Sequence, residues 1–301
     1  RSTLFPYTTL FRSRTGLFVM LIWGSAFTVT KLAVNEVPPL LFAFLRNLVA
    51  CLVLLPFYVA RRKKMKDQLT QLPYKKIFFM GLTGITLFYA LFNISLVYTT
   101  ASIGSLIQGF IPVAIAVGAV WFLKEKLDKS NLFGIFLCVA GVILVGFVGK
   151  QAESGNSLLG NILMILSVFA WAIYTLIAKS MNDRDPVLVV SLITFIGTAL
   201  LLPTVIIELW DQKIPVLSAN AWIAVIYLGV FSSALCYILY ANALKTLSAT
   251  QVGNFLNLDP VIGAIIAFIF LKDKITAWQI AGGLLVLAGI WLSSKNSRRE
   301  H

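Results

Sequence analysis

The chain has 301 residues, 59% of them hydrophobic and only 12% charged, with a mean hydropathy of +0.89. Soluble domains carry roughly 25% charged residues, so this composition excludes a water-soluble globule and points to a bilayer. Lys and Arg number 25 against 12 Asp and Glu, a net +13. These charges sit in short segments beside apolar runs, with no Arg-rich face interleaved with aromatics, which excludes nucleic acid as a partner and makes the basic excess a topology signal.

Thr3 to Ser13 read TLFPYTTLFRS, which looks like the in-frame translation of a sequencing-library adapter. Residues 1–13 are therefore expected to be foreign to the native chain, whose own N-terminus is expected just before Arg14. About 20 apolar residues cross a bilayer core. On that measure ten spans are predicted, near 16–34, 39–60, 77–98, 102–123, 132–149, 158–178, 187–208, 220–241, 249–271 and 277–293. Lipid offers the backbone no partners, so the spans are helices. None has the two-residue alternation of an outer-membrane barrel.

Loop charge sets the predicted orientation. The loop after span two carries Arg61, Arg62, Lys63, Lys64 and Lys66, with Lys75 and Lys76 before span three. The most basic loop faces the cytoplasm, which puts both termini inside. Lys124, Lys126, Lys129, Lys295, Arg298 and Arg299 then fall inside as well, whereas Lys272 and Lys274 fall outside against the trend. Cys51, Cys138 and Cys236 lie in apolar runs without CxxC spacing, and the one His is His301. Such a chain has almost no ligands for a metal or redox centre, so no metal site and no cofactor are expected.

A constant offset of 148 residues relates two halves of the chain. It carries Trp23 to Trp171, Lys31 to Lys179, Pro38 to Pro186, Gly81 to Gly229, Tyr89 to Tyr237 and Ala101 to Ala249. It also carries Pro112 to Pro260, Gly134 to Gly282 and Gly141 to Gly289. Matches at Trp, Pro, Tyr and Lys in one register are not cheap in an apolar chain. Five spans per half is an odd number, so the second half enters the membrane in the opposite sense. The expectation is an all-α integral membrane protein of ten transmembrane helices, arranged as two inverted five-helix repeats. The predicted divisions are 14–148 and 158–295, with a polar linker at 149–157 and a basic cytoplasmic tail at 296–301.

WGSAFTVTK in span one and PPLLFAFLRN at the start of span two resemble the opening of EamA-type members of the drug/metabolite transporter superfamily. PVAIAVGAVWFLKEKL and DPVIGAIIAFIFLKDKI are similar to that family's closing half-repeat motif: Pro-Val in the helix, then an acidic residue after the apolar run. The resemblance runs from about Arg14 to Ser294. It implies a ten-helix carrier of the bacterial inner membrane, commonly an exporter of small metabolites, without implying one substrate. Two departures stand out. Thr194 occupies the second-half position of Arg46, and Asp259 precedes Pro260 where family members often have Glu and the first half has Ile111.

Polar residues buried in only one half are the candidates for reading a substrate, because residues shared by both halves serve the scaffold first. Asp259 lies about ten residues into its predicted span. An ionised carboxylate there costs at least ~2.5 kcal/mol, so it is expected to face water, a cation or substrate, or to hold a proton. Its structural alternative is capping a helix broken at Pro260. Arg46 holds a substrate carboxylate or, as the family pattern favours, locks helices. Ser102, Ser105 and Gln108 on span four, and Gln251, Asn254 and Asn257 on span nine, recur every third residue and share a helix face. Tyr89 and Asn93 form a similar pair on span three. Trp23, Trp171 and Tyr237 are candidate cavity walls, and Pro112 and Pro260 candidate hinges. Lys31 and Lys179, near span ends, are expected to snorkel towards water.

The sequence thus predicts a secondary-active transporter, not an enzyme, exporting small polar metabolites such as amino acids by alternating access between the repeats. No catalytic residue is assigned, and no Walker motif is present for direct use of ATP. The partners expected are a small-molecule substrate, protons as a candidate coupling ion, and the lipid bilayer. Glycines in spans five and ten suggest close helix packing, within the chain or across a homodimer. The alternatives are a nucleotide-sugar or lipid-linked substrate translocator, and a non-transporting membrane scaffold or sensor.

Overall fold

A computed structural model describes residues 5–64, 70–123, 129–147, 157–181, 183–211, 215–246, 256, 259–273 and 276–295. Every regular element among them is helical. In chain order these are α1 (Phe5–Ala33), α2 (Pro39–Lys64) and α3, which runs through Tyr74–Gly81, Leu82–Leu87 and Phe88–Tyr98 without a break. Next come α4 (Ala101–Gln108, then Ile111–Leu123), α5 (Lys129–Phe147), α6 (Leu158–Lys179) and α7 (Pro186–Glu208). Then follow α8 (Ala219–Tyr227, Leu228–Leu235 and Cys236–Thr246), α9 (Asp259–Leu271) and α10 (Ala277–Lys295). Seven of these are long and apolar enough to cross a membrane: α1–α4 and α6–α8. The apolar stretches of α5, α9 and α10 are shorter, at Leu132–Val145, Asp259–Leu271 and Ala277–Gly289.

The middle segments of α3 and α8 are π-helical. A π turn admits one extra residue, re-aims the side chains around it, and recurs at functional sites. The 148-residue offset brings the two π segments into overlapping register. Span four breaks at Gly109 and Phe110, and the helix restarts at Ile111 so that Pro112 occupies its first turn. A proline is tolerated there because the missing N–H has no intrahelical partner to lose. Asp259 and Pro260 open α9 in the same way, at the offset-related position.

The main packing pairs are α5 with α10, α2 with α7, α3 with α6, and α1 with α9. At the first of these, the glycines predicted to pack closely meet each other within one chain. A Cβ built on Gly141 would lie 2.6 Å from Gly282 O, and one on Gly289 would lie 2.5 Å from Gly134 O. The offset turns each of these contacts into the other, as a two-fold relation requires.

Polar ties join the helix ends. Lys31 Nζ donates to Leu96 O (2.6 Å) and Thr99 O (3.0 Å), and Lys179 Nζ donates to Leu244 O at 3.0 Å. Leu96 and Leu244 are related by the same offset as the two lysines. Both lysines are half-buried, so these carbonyls at the C-terminal turns of α3 and α8 hold them, in place of the free reach to water expected from the sequence. At the α2 N-terminus, the Glu208 carboxylate accepts from Leu40 N (3.0 Å) and Leu41 N (2.8 Å). At the same end of the bundle Asp273 accepts from Ser102 N at 3.0 Å, and Ser218 donates to Glu36 at 2.6 Å. The opposite end, which holds the basic loop, carries the Arg61–Asp185 ion pair and a Lys76–Ser180 hydrogen bond of 3.0 Å.

Candidate functional site

Where α1, α2, α3 and α4 meet α6, α8 and α9, a cavity is lined by both halves of the chain. Trp23, Phe27, Arg46, Phe88, Tyr89, Phe92, Gln108 and Ile111 come from the first half, and Trp171, Ser232, Tyr237, Leu256 and Asp259 from the second. Its walls are mostly aromatic. Trp23 meets Trp171 edge-on with ring centroids 5.3 Å apart, Phe88 lies 4.9 Å from Trp171, and Tyr237 lies 5.3 Å from Trp171. Such contacts contribute about 0.5–1.5 kcal/mol each beyond burial, so the walls hold their shape. The space open to the centre of a water molecule is about 40 Å³. At roughly 10–15 Å³ per water on that measure, the cavity holds a few waters, far less than the ~300–1,000 Å³ of an open drug-sized site.

Arg46 is 1% exposed. Its Nε donates to Ser233 Oγ (3.2 Å) and its Nη2 to Ser232 Oγ (2.9 Å). Its guanidinium carbon sits 4.3 Å from the centroid of the Tyr89 ring, in cation–π geometry. Tyr89 Oη in turn shares a 3.2 Å hydrogen bond with Ser233 Oγ. Nη1 has no partner. No hydrogen bond or ion pair between Arg46 and a carboxylate occurs among the described residues, so the charge is held by hydroxyls and a ring face, with one donor left over.

Asp259 is 8% exposed, and its Oδ1 is buried without a hydrogen-bond partner. The described helix begins at Asp259 itself, so the carboxylate rides on the first turn of α9. There the macrodipole favours negative charge. One unpartnered cationic donor and one unpartnered carboxylate oxygen therefore belong to residues lining a single aromatic cavity, one from each half.

The π segments build the rest. Ser232 and Ser233 lie in the π segment of α8, and Ser232 O accepts from Trp23 Nε1 at 3.2 Å. Gly84 O, in the π segment of α3, accepts from Tyr237 Oη at 2.6 Å. A side chain on Gly84 would strike Tyr174, whose Cδ2 lies 2.6 Å from the built Cβ.

The structure brings Trp23, Arg46, Tyr89, Gln108, Trp171, Tyr237 and Asp259 to one cavity. Gln108 Nε2 lies 3.4 Å from both Met164 Sδ and Ser167 Oγ. Asn93 is not among the lining residues, and its Nδ2 donates to Pro39 O at 3.0 Å, tying α3 to the start of α2. Ser105 donates to Ser102 O and Pro260 O, at 2.8 and 3.3 Å, which joins α4 to α9. Gln251, Asn254 and Asn257 lie outside the described residues. Pro112 and Pro260 stand at helix restarts beside the cavity residues Ile111 and Asp259. Sequence reasoning missed Ser232, Ser233 and Phe88. The serines satisfied the rule of polarity in one half only, since Gly84 and Ile85 occupy their first-half positions.

The profile of the EamA-like transporter family matches residues 15–147 and again 158–295. The transporter YvbV of Bacillus subtilis, itself named uncharacterized, is 30% identical over 96% of this chain and 94% of its own length. An uncharacterized transporter of Archaeoglobus fulgidus is 29% identical over 91% and 94% of the two chains. A protein of Salmonella typhimurium named a probable amino-acid metabolite efflux pump is 27% identical over 92% of each. A crystal structure with 15% sequence identity superposes with a TM-score of 0.70 over 96% of this chain and 98% of the other, which shows the shared fold. With two matched segments that cover nearly the whole chain, the protein belongs to the EamA-like transporter family.

Proposed function

We propose that this protein is a secondary carrier that exports small zwitterionic metabolites, amino acids among them, from the bacterial cytoplasm. Ten transmembrane helices form two inverted five-helix repeats, 14–148 and 158–295, which alternate access to the central cavity. The observation that carries this reading is the pairing of Arg46 Nη1 with Asp259 Oδ1 as unpartnered groups of opposite charge on one buried cavity. A carboxylate satisfies the first and an ammonium group the second, and a molecule that carries both enters without leaving either buried charge unmatched. The aromatic walls suit the apolar body of such a molecule. The name of the Salmonella relative is in keeping with this class.

The rocking motion is taken up at the helix restarts near Pro112 and Pro260, where the backbone ladder is already broken. The basic loop 61–76 faces the cytoplasm, with both termini on that side. When no substrate is present, a proton on Asp259 removes the cost of a lone buried carboxylate, which couples export to proton entry. A single Arg46 among aromatic walls argues against a nucleotide sugar, whose phosphates call for several cations.

Metabolite profiling tests the proposal. Cells that carry residues 14–301 behind a new Met are compared with cells that carry the Asp259→Asn variant or an empty vector, by mass spectrometry of medium and cytosol. Enrichment of an amino-acid class in the medium with the intact protein, absent with the empty vector and reduced with Asp259→Asn, supports it. An unchanged medium, with the protein verified in the membrane, overturns it.

A further inference from the structure

A second cavity lies at the end of the bundle that holds the basic loop, between α3, α6, α7 and α8. Met80, Val189 and Leu244 line it, and three of its residues carry hydrogen-bond donors: Tyr174, Arg184 and Lys245. Tyr174 is fully buried, and its hydroxyl has no hydrogen-bond partner. The nearby acids are already engaged. Asp183 forms an ion pair with Arg184 Nε at 3.1 Å, on the inner nitrogen of the guanidinium. Asp185 pairs with Arg61 and caps α7 by accepting from Leu188 N at 3.1 Å.

Tyr174 also packs against residues that wall the central cavity. Its ring packs 5.1 Å from Trp171 and 5.8 Å from Tyr237, both of which line the central cavity. The donor set exists at one end only. The 148-residue offset places Ala26, Glu36 and Val97 at the positions of Tyr174, Arg184 and Lys245. At that other end Ala33, Leu41 and Phe42 pack into an apolar core, and the carboxylates of Glu36, Glu208 and Asp273 lie there together with the Lys31 ammonium.

We propose that the cavity of Tyr174, Arg184 and Lys245 is a loading subsite that takes the carboxylate group of the substrate before it passes Tyr174 into the central cavity. This deepens the carrier reading above and rests on it for the identity of the substrate, though not for the anion site itself. The open space is about 20 Å³ for water centres, room for about one water on the ~10–15 Å³ measure. That fits a carboxylate head or a single small inorganic anion, with the body of the molecule left at the mouth.

The test uses the full chain in lipid nanodiscs, with tryptophan emission followed during titration with sodium acetate and, separately, with sodium chloride at constant ionic strength. Trp171 reports on Tyr174 through their ring contact. The site predicts a saturable acetate response that is kept in Asp259→Asn and weakened about tenfold or more in Arg184→Gln, the size of one lost charge-assisted hydrogen bond. Lys245→Gln, an exposed position where folding is not at risk, and Tyr174→Phe should weaken it in the same sense. Absence of any acetate response overturns the proposal, as does a response that Arg184→Gln and Lys245→Gln both leave intact. An equal response to chloride reduces the site to one for inorganic anions and removes its role in loading. Loss of the response in Arg46→Gln, with Arg184→Gln and Lys245→Gln leaving it intact, would locate acetate in the central cavity and overturn the proposal. Failure of export with this binding intact would strike the carrier reading and leave the anion site standing.

Discussion

Arg46 Nη1 and Asp259 Oδ1 belong to opposite halves of the chain, line the same cavity, and are both buried without a partner. Asp259→Asn keeps the shape of the side chain and removes its capacity to exchange a proton. If Asp259 carries the coupling as well as the ammonium contact, purified Asp259→Asn protein in proteoliposomes will exchange substrate down its gradient only weakly and will no longer respond to an imposed pH difference. A response equal to that of the wild type would remove Asp259 from the coupling step.

Arg46→Lys preserves the charge and is not expected to preserve the site. The guanidinium reaches Ser232 and Ser233 at once and sits over the Tyr89 ring, whereas an ammonium is a compact point donor without that fork. Transport should fall at least about tenfold, and the melting temperature in detergent should drop. The loss corresponds to about 1–3 kcal/mol for each buried group left unsatisfied. Ser232→Ala with Ser233→Ala should reproduce the stability loss with the arginine intact.

The glycine contact between α5 and α10 gives a cleaner test of packing. A Cβ at Gly141 would lie 2.6 Å from Gly282 O and 2.8 Å from Val286 N, both backbone atoms that cannot turn aside. Gly141→Ala should destabilise by about 1–3 kcal/mol through overpacking. Gly118→Ala is the control. Its Cβ meets the Leu176 side chain, nearest at Cδ1, which has rotamers to use. Thermal unfolding in detergent separates the two, and equal shifts would refute the distinction.

Glu208 carries a comparable burden at the other end of α7. Its carboxylate satisfies two N–H groups in the first turn of α2, Leu40 and Leu41, while the offset-related position is Ala60. Glu208→Ala is expected to cost about 0.5–2 kcal/mol, as loss of a helix cap does. It should also loosen this face, seen as faster modification of a cysteine placed at Leu41. Unchanged labelling would mean that apolar packing alone holds the closure.

The helices and their duplication were legible because composition, apolar run length and an offset are properties of the chain by itself. Trp23, Trp171, Tyr237, Arg46 and Asp259 emerged from the same reasoning, since a charge or a repeated ring inside an apolar run is conspicuous. What could not be read is who meets whom. Asn93 looks like a cavity residue on a helical wheel, yet it bonds Pro39 O, a backbone partner 54 positions away that only the fold supplies. Lys31 and Lys179 looked free to reach water for the same reason, and each was claimed by the carbonyls of a neighbouring helix. The π segments left even less trace. Glycines, threonines and serines within apolar runs are their only signature, and it is the extra residue in the turn that aims Ser232 and Ser233 at Arg46.

The mutual clasp of α5 and α10 bears on how such a chain came to be. Each helix closes its own half, and the contacts Gly141–Gly282 and Gly289–Gly134 are one contact written twice. Two identical five-helix subunits could grip each other through the same glycines with no covalent link. Joined in one polypeptide, the halves need not be identical, and one carries Arg46 and the other Asp259. A symmetric pair of subunits would have to carry both residues twice or not at all. Separate genes for 14–148 and 158–295, translated in one cell, should therefore reassemble a working carrier, and neither product should do so with a second copy of itself.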